Sequence, residues 1–375
     1  MIYLDYYSTS PIEDEVCEAM YPYLKERFFN PLSKNKMGAM IKEEIEKARS
    51  KVAKLINASD DEIIFTSSGT ESNNTVIKGL SFAYEKRGKH VITSKSEHHS
   101  VLNPMRSLER MGFYVTFLSP DKYGEIKPSY VESAIRDDTM LVSLSFGSVD
   151  VGTINNIKEI AKILKKKDIL FHTDAVAAVG NVHIDVRDLG VDSLSFSSHI
   201  FGGPKGVGGF YLRDGLRFMP LIYGGPQEFG KRAGTENVPG IIGIGVAAEL
   251  AMLNLDKRIE KRNKLISEIK KILSLDGIKL VGKDLERLPG HLSFIIDKVK
   301  SSDMISYLES NDIYVSSGSP CVSYALKASP VLISMGYTFE QASSIIALST
   351  SHKTTEEEIG LFLEIFERGI KKLRR

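Results

Sequence analysis

Apolar positions along this chain follow two alternating rhythms. Met40, Ile41, Ile45, Ala48, Val52 and Leu55 recur at helical spacing and predict a helix over 37–55. Short β-branched runs such as Ile63-Ile64-Phe65-Thr66 predict strands. The expected order is helix 13–26, helix 37–55, strand 62–66, helix to about 85, strand 90–94, then a helix from Ser100. Strand 113–118, helix 129–135, strand 140–146, helix 157–164, strand 169–173 and two strands at 194–197 and 207–212 follow. Strands alternating with helices argue for a mainly parallel α/β sheet. From about Ala247 the texture changes to a charged helix (256–273), strands 278–281, 291–296 and 313–316, and helices 303–309 and 356–373. This predicts a large α/β domain over 14–250 and a smaller α+β domain formed by 1–13 and 251–375.

Composition narrows the class without choosing a function. The 375 residues are 42% apolar and 26% charged, as in a soluble globular chain. No unbroken apolar run of about 18 residues predicts a membrane span, and Met1-Ile-Tyr-Leu-Asp5 does not read as a signal peptide. A net charge of +1 gives no field for nucleic acid. Two cysteines, Cys17 and Cys321, are too few for a disulfide framework and fit a reducing cytoplasm. Cys17, beside Val16, Ala19 and Met20, is expected as a small core residue.

Three stretches carry candidate chemistry. Ser67-Ser-Gly69-Thr70-Glu-Ser-Asn73-Asn74 joins a strand to a helix, an arrangement that aims backbone N–H groups at an anion. Asp174, in Phe171-His172-Thr173-Asp174, ends a strand. Ser197-Ser-His199-Ile200-Phe-Gly-Gly203-Pro204-Lys205-Gly206 bends through a glycine- and proline-punctuated corner between two strands.

These stretches, with Gly224-Gly-Pro-Gln227-Glu228, Arg232-Ala-Gly234-Thr235-Glu-Asn237 and Ser317-Gly-Ser-Pro320-Cys321, resemble the cysteine desulfurases of the class V aminotransferase group. The resemblance implies an aminotransferase-like large domain with a seven-stranded, mainly parallel sheet, pyridoxal phosphate (PLP) as cofactor, and a homodimer. It implies a phosphate cradle of Gly69, Thr70, Ser197 and His199, completed by Thr235 from the other subunit. It also implies Asp174 at the ring nitrogen, His98 over the ring as a proton carrier, and Cys321 as the sulfur-accepting thiol. Departures fall at four family positions. Ile200 stands where the Schiff-base lysine belongs, Ser148 at the asparagine pair that reaches the ring hydroxyl, Ala177 at a glutamine and Ala347 at the substrate-carboxylate arginine. Lys205 is no substitute, because the family carries a lysine there as well.

The expectation is a desulfurase homologue in sulfur handling or iron–sulfur cluster assembly, with PLP bound non-covalently or not at all. Cys321 would carry persulfide sulfur or ligate a cluster shared with a scaffold, and no protein-held metal is otherwise expected. One alternative is a working desulfurase, lyase or aminotransferase using free PLP. Another is an inactive partner or regulator of an active homologue.

Overall fold

The computed structural model describes residues 1–284, 286–318 and 328–374. In chain order the strands are Ile2–Tyr3 (β1), Ile63–Thr66 (β2), His90–Ser94 (β3), Tyr114–Leu118 (β4), Thr139–Ser145 (β5) and Leu170–Asp174 (β6). Ser193–Ser197 (β7), Gly208–Leu212 (β8), Ile278–Val281 (β9), His291–Ile296 (β10), Ile313–Tyr314 (β11) and Ile345–Ser349 (β12) follow.

Seven strands make one sheet in the order β2-β8-β7-β6-β5-β3-β4. The pairs β3–β4, β3–β5, β5–β6 and β6–β7 are parallel, and β8 runs antiparallel to both its neighbours. Strands β3, β5, β6 and β7 are buried along their whole length, as a sheet covered on both faces requires. One face packs a core around Ile41, Ile45, Phe171, Phe196 and Ile244. The other packs Val76, Leu80, Val101, Met105 and Phe210. The expected α/β architecture is the one observed.

A second apolar core, with Leu265, Ile269, Phe294, Phe362 and Phe366, lies under the antiparallel sheet β12-β10-β9. The N-terminal strand joins this part: Ile2 pairs with Ile313, and Asp5 bridges to Ser349. Glu13 ties the two parts together through Arg258 at 3.0 Å, Lys353 at 2.7 Å and His352 at 3.2 Å.

Three expectations need correction. The texture change near Ala247 is not a break, because one helix, Val238–Ile269, runs through it. Its first half is apolar on every side and sunk in the large core at Ile241, Ile244 and Ala248; its second half carries the charges. That first half is apolar and long enough to cross a membrane by composition, and burial in the core accounts for it. Cys17 is exposed: its helix, Asp14–Lys25, turns Val16 and Tyr23 inward and leaves the adjacent position outside. Strand β12 is an element the apolar pattern does not predict, its five residues lying between two helical turns with no glycine or proline to mark its ends.

Candidate active site

Parallel strands that end on one edge of a sheet gather their following loops there, which is where ligands bind in such folds. Here the loops after β3, β5, β6 and β7 line a single cavity of about 210 Å³. From these loops come Glu97 and His98, Ser148 and Asp150, Asp174 and Ala177, and Ser197, His199 and Ile200. Gly69 and Thr70 add the start of the helix Gly69–Tyr84.

That helix start is built for an anion. Ser68, in extended conformation, caps it by accepting from Glu71 N–H at 3.1 Å, and Ser68, Gly69 and Thr70 line the cavity, where a helix N-terminus favours negative charge. A Cβ at Gly69 would lie 2.5 Å from Val176 Cγ2. Only glycine lets the backbone come this close to the loop after Asp174.

Asp174 is buried and well held. It accepts from Asn73 Nδ2 at 2.8 Å and from Val176 N–H at 3.0 Å. Burial raises its pKa; the Val176 N–H and the Asn73 amide pull it back. Asn73 also donates to Ser100 Oγ at 2.8 Å, and Ser100 Oγ lies 2.7 Å from His98 Nδ1. Since Ser100 Oγ accepts from Asn73 and His98 Nδ1 also accepts from Ser100 N–H, Nδ1 is an acceptor and the ring proton sits on Nε2. One network therefore orients both the acid and the histidine.

Glu97 lies deep in the same wall. Its Oε1 accepts from Ser94 Oγ at 2.7 Å, while Oε2 is buried without a hydrogen-bond partner. Burial pushes this carboxyl up to about 8, opposed by Ser94 and Ser145 and reinforced by the charge of Asp174.

The remaining positions divide. Ser197, the last residue of β7, and His199 line the cavity as expected; His199 Nδ1 is 3.2 Å from Thr9 Oγ1, and burial followed by the charge of Lys205 lowers its pKa. Ile200 and Ala177 also line it, in an apolar cluster with Tyr7 and Leu288 against which Val149 and Val176 pack. Ser148 lines it too, with a buried hydroxyl that has no partner. Ala347 lies on β12 beside a small neighbouring cavity that shares Tyr7, Ser8 and Val149. Thr235 is exposed and outside the cavity, in a loop fastened by Arg232 to Glu71 at 2.8 Å. Cys321 lies outside the described residues, whereas the chain on either side of 319–327 reaches the site. Gly318 sits against Asp150, and Pro330 and Val331 are in the lining.

Asn73, Ser100 and Glu97 were not singled out from sequence. Asn73 sits one helical turn after Gly69, a spacing that would have placed it on the same face.

Comparison with known proteins agrees with this geometry. The aminotransferase class-V family model matches residues 2–362, and the chain belongs to that family. It is 47% identical to the cysteine desulfurase IscS of Dictyoglomus turgidum, covering all of this chain and 95% of that one. It is 43% identical to the IscS of Methanosarcina thermophila, covering 100% and 93%. Among solved structures, a NifS-like protein superposes with a TM-score of 0.92 at 36% identity, over 99% of both chains. A cysteine desulfurase from Thermococcus onnurineus gives 0.88 at 29%, over 99% and 95%. The chain is thus a homologue of the cysteine desulfurases.

Proposed function

We propose that this protein is a cysteine desulfurase homologue acting in sulfur handling for iron–sulfur cluster assembly, with a PLP site that holds its cofactor without a covalent link. The observation that carries this reading is the mixed character of one cavity. Its anion-ready helix start at Gly69–Thr70 and its buried acid Asp174 fit the phosphate and ring nitrogen of PLP. The wall at Ile200, Ala177 and Val149 is apolar and offers nothing to the reactive carbon. When bound, PLP supplies an electron sink. Gly69, Thr70, Ser197 and His199 would hold its phosphate, Asp174 would keep a proton on the ring nitrogen, and His98, with its proton on Nε2, would cover the ring. The described lining has Lys95 only, exposed at the mouth, and no buried amine, which supports binding without a covalent link.

Cys321 is the sulfur carrier in this reading, or a soft ligand to a cluster held with a partner. Support comes from the flanking residues Gly318 and Pro330, which reach the cavity, and from the names of the IscS relatives. The same names support a sulfur-acceptor or scaffold protein as partner. The homodimer finds support in Met219, Leu221, Ile222 and Tyr223, an exposed apolar stretch joined to the Thr235 loop by Ala233 N–H donating to Ile222 O. A cytoplasmic setting accords with both.

Titration of the purified chain with PLP, followed by absorbance, tests the reading. Saturable binding that is lost in Asp174→Ala is expected, together with sulfide release from cysteine that is slow in the wild type and faster in Ile200→Lys. Restoring one positioned acid/base group is worth about 10²–10⁴ in rate. Absence of saturable binding contradicts the reading and leaves the second alternative, an inactive partner or regulator of an active homologue.

A further inference from the structure

A second, smaller cavity of about 30 Å³ lies behind Ile200, where the two parts of the molecule meet. Cations dominate its walls. Arg258 and Arg262, four residues apart on the helix Val238–Ile269, share the face that lines it. His352 and Lys353 come from the turn after β12, and Glu13 is the one carboxylate in the described lining. Burial alone would raise the Glu13 pKa, yet His352, Lys353 and Arg258 lower it to about 2, so it is ionised at neutral pH. One carboxylate therefore faces two guanidiniums and an ammonium. Burial lowers the pKa of Arg258; Glu13 opposes this, with the exposed Glu15 helping from outside the lining, and the charge of Arg262 adds to it. Arg262 is 7% exposed and forms no ion pair among the described residues. Its Nη1 donates to Asn181 Oδ1 and its guanidinium lies 4.9 Å from the centre of the Tyr7 ring, but Nε is buried without a partner. Buried charge of one sign is ordinarily matched by the other.

We propose that this junction binds a small inorganic anion of about the size of chloride, held by Arg258, Arg262 and Lys353. The volume admits about two water-sized particles, which suits a monatomic ion. Solvent reaches it past Lys353 and His352, whose side chains are 41% and 30% exposed. Such an ion bears on the larger cavity through the corner that carries His199 and Ile200. Ser10 N–H donates to His199 O at 2.8 Å, Gly202 N–H to Ser10 Oγ at 2.9 Å, and Glu13 N–H to Gly202 O at 2.9 Å. The corner is thus fastened to the segment whose Glu13 meets the cations. An anion there offsets the repulsion between the two arginines and steadies both parts of the molecule against that corner.

Urea unfolding of the full chain at constant ionic strength, with chloride exchanged for gluconate, reads the site. An ion that binds only the folded state raises the midpoint along a saturation curve, and chloride is expected to do so. Arg262→Gln is expected to weaken the apparent chloride affinity at least about tenfold, and Lys353→Gln, at the exposed edge, about threefold. Crystals of the wild type grown in bromide are expected to show anomalous scattering in this cavity. A midpoint indifferent to chloride overturns the proposal, as does a chloride dependence that Arg262→Gln leaves unchanged. Bromide bound only elsewhere overturns it too. The bromide crystal needs no variant, so it decides the matter even if Arg262→Gln fails to fold.

Discussion

Asn73 donates its amide to Asp174 Oδ2 at 2.8 Å, and the same nitrogen reaches Ser100 Oγ, which lies against His98. The acid and the histidine of the site are thus held by one side chain from the helix that also begins the anion cradle. Asn73 is wholly buried, so shortening it leaves polar groups unpaired in the interior. Asn73→Ala is expected to lower stability by about 1–3 kcal/mol and to weaken ligand binding at Asp174. Denaturant midpoints with matched ligand titrations check this. A variant within about 0.5 kcal/mol of wild type, with unchanged affinity, would mean the network does not hold the site together.

Gly69 faces Val176 so closely that any side chain must displace it. Gly69→Ala is expected to destabilise the fold by about 1–3 kcal/mol through overpacking and to impair binding of inorganic phosphate. Val176→Ala in the same chain removes the obstructing methyl groups, and it is expected to recover most of both losses. If the double variant binds phosphate no better than Gly69→Ala alone, the close approach is not what the glycine serves.

Glu97 predicts a particular dependence of stability on pH. Its folded pKa, pushed up to about 8 by burial, lies above the ordinary carboxyl value of 4.5, so the folded state holds the proton more tightly. Stability from this group is present at low pH and is lost as pH rises from about 4.5 to about 8. His172 and His291, both lowered to about 3 by burial, change stability only below 6.5. Above pH 6.5 the decline is therefore assigned to Glu97 together with Asp174, whose carboxyl burial also raises, and Glu97→Gln is expected to reduce it. Urea midpoints across that window measure the slope, and an unchanged slope in the variant contradicts the assignment.

The loop that carries Thr235 is anchored at a distance. Glu228 accepts from Arg49 Nη1 at 2.7 Å and Nη2 at 2.9 Å, and from Phe65 N–H at 2.7 Å, with both charged side chains under a twentieth exposed. Removing one member strands the other's charge in the interior, so Glu228→Ala is expected to cost about 3–5 kcal/mol. Size-exclusion chromatography of the wild type is expected to show a dimer. The same variant, if it folds, is expected to shift toward monomer, because the Thr235 loop loses its footing.

Most of the large sheet and its cavity could be read from sequence because their signals are local. A glycine-serine turn before a helix, an aspartate ending a strand and a corner rich in glycine and proline each announce themselves within ten residues. What could not be read depends on long-range packing. Cys17 is outside because Val16 and Tyr23 claimed the inward face, which helical spacing alone leaves ambiguous when the helix is short. Strand β12 exists because β10 offers it a partner, with Ala347 opposite Ser293. Glu97 becomes notable only once folding removes it from water and sets it near Asp174. Ile200 was legible as a substitution, while the apolar cluster it forms with Ala177, Tyr7 and Leu288 was not, since those residues come from four separate segments.

The central claim is a cofactor site that grips phosphate and ring without an amine bond. Treat the wild-type protein, saturated with PLP, with borohydride, then digest it and weigh the peptides. The account predicts that every lysine-containing peptide keeps its unmodified mass and that the cofactor washes away. A reduced pyridoxyl adduct on Lys205, Lys95 or any other single lysine in stoichiometric yield would contradict it.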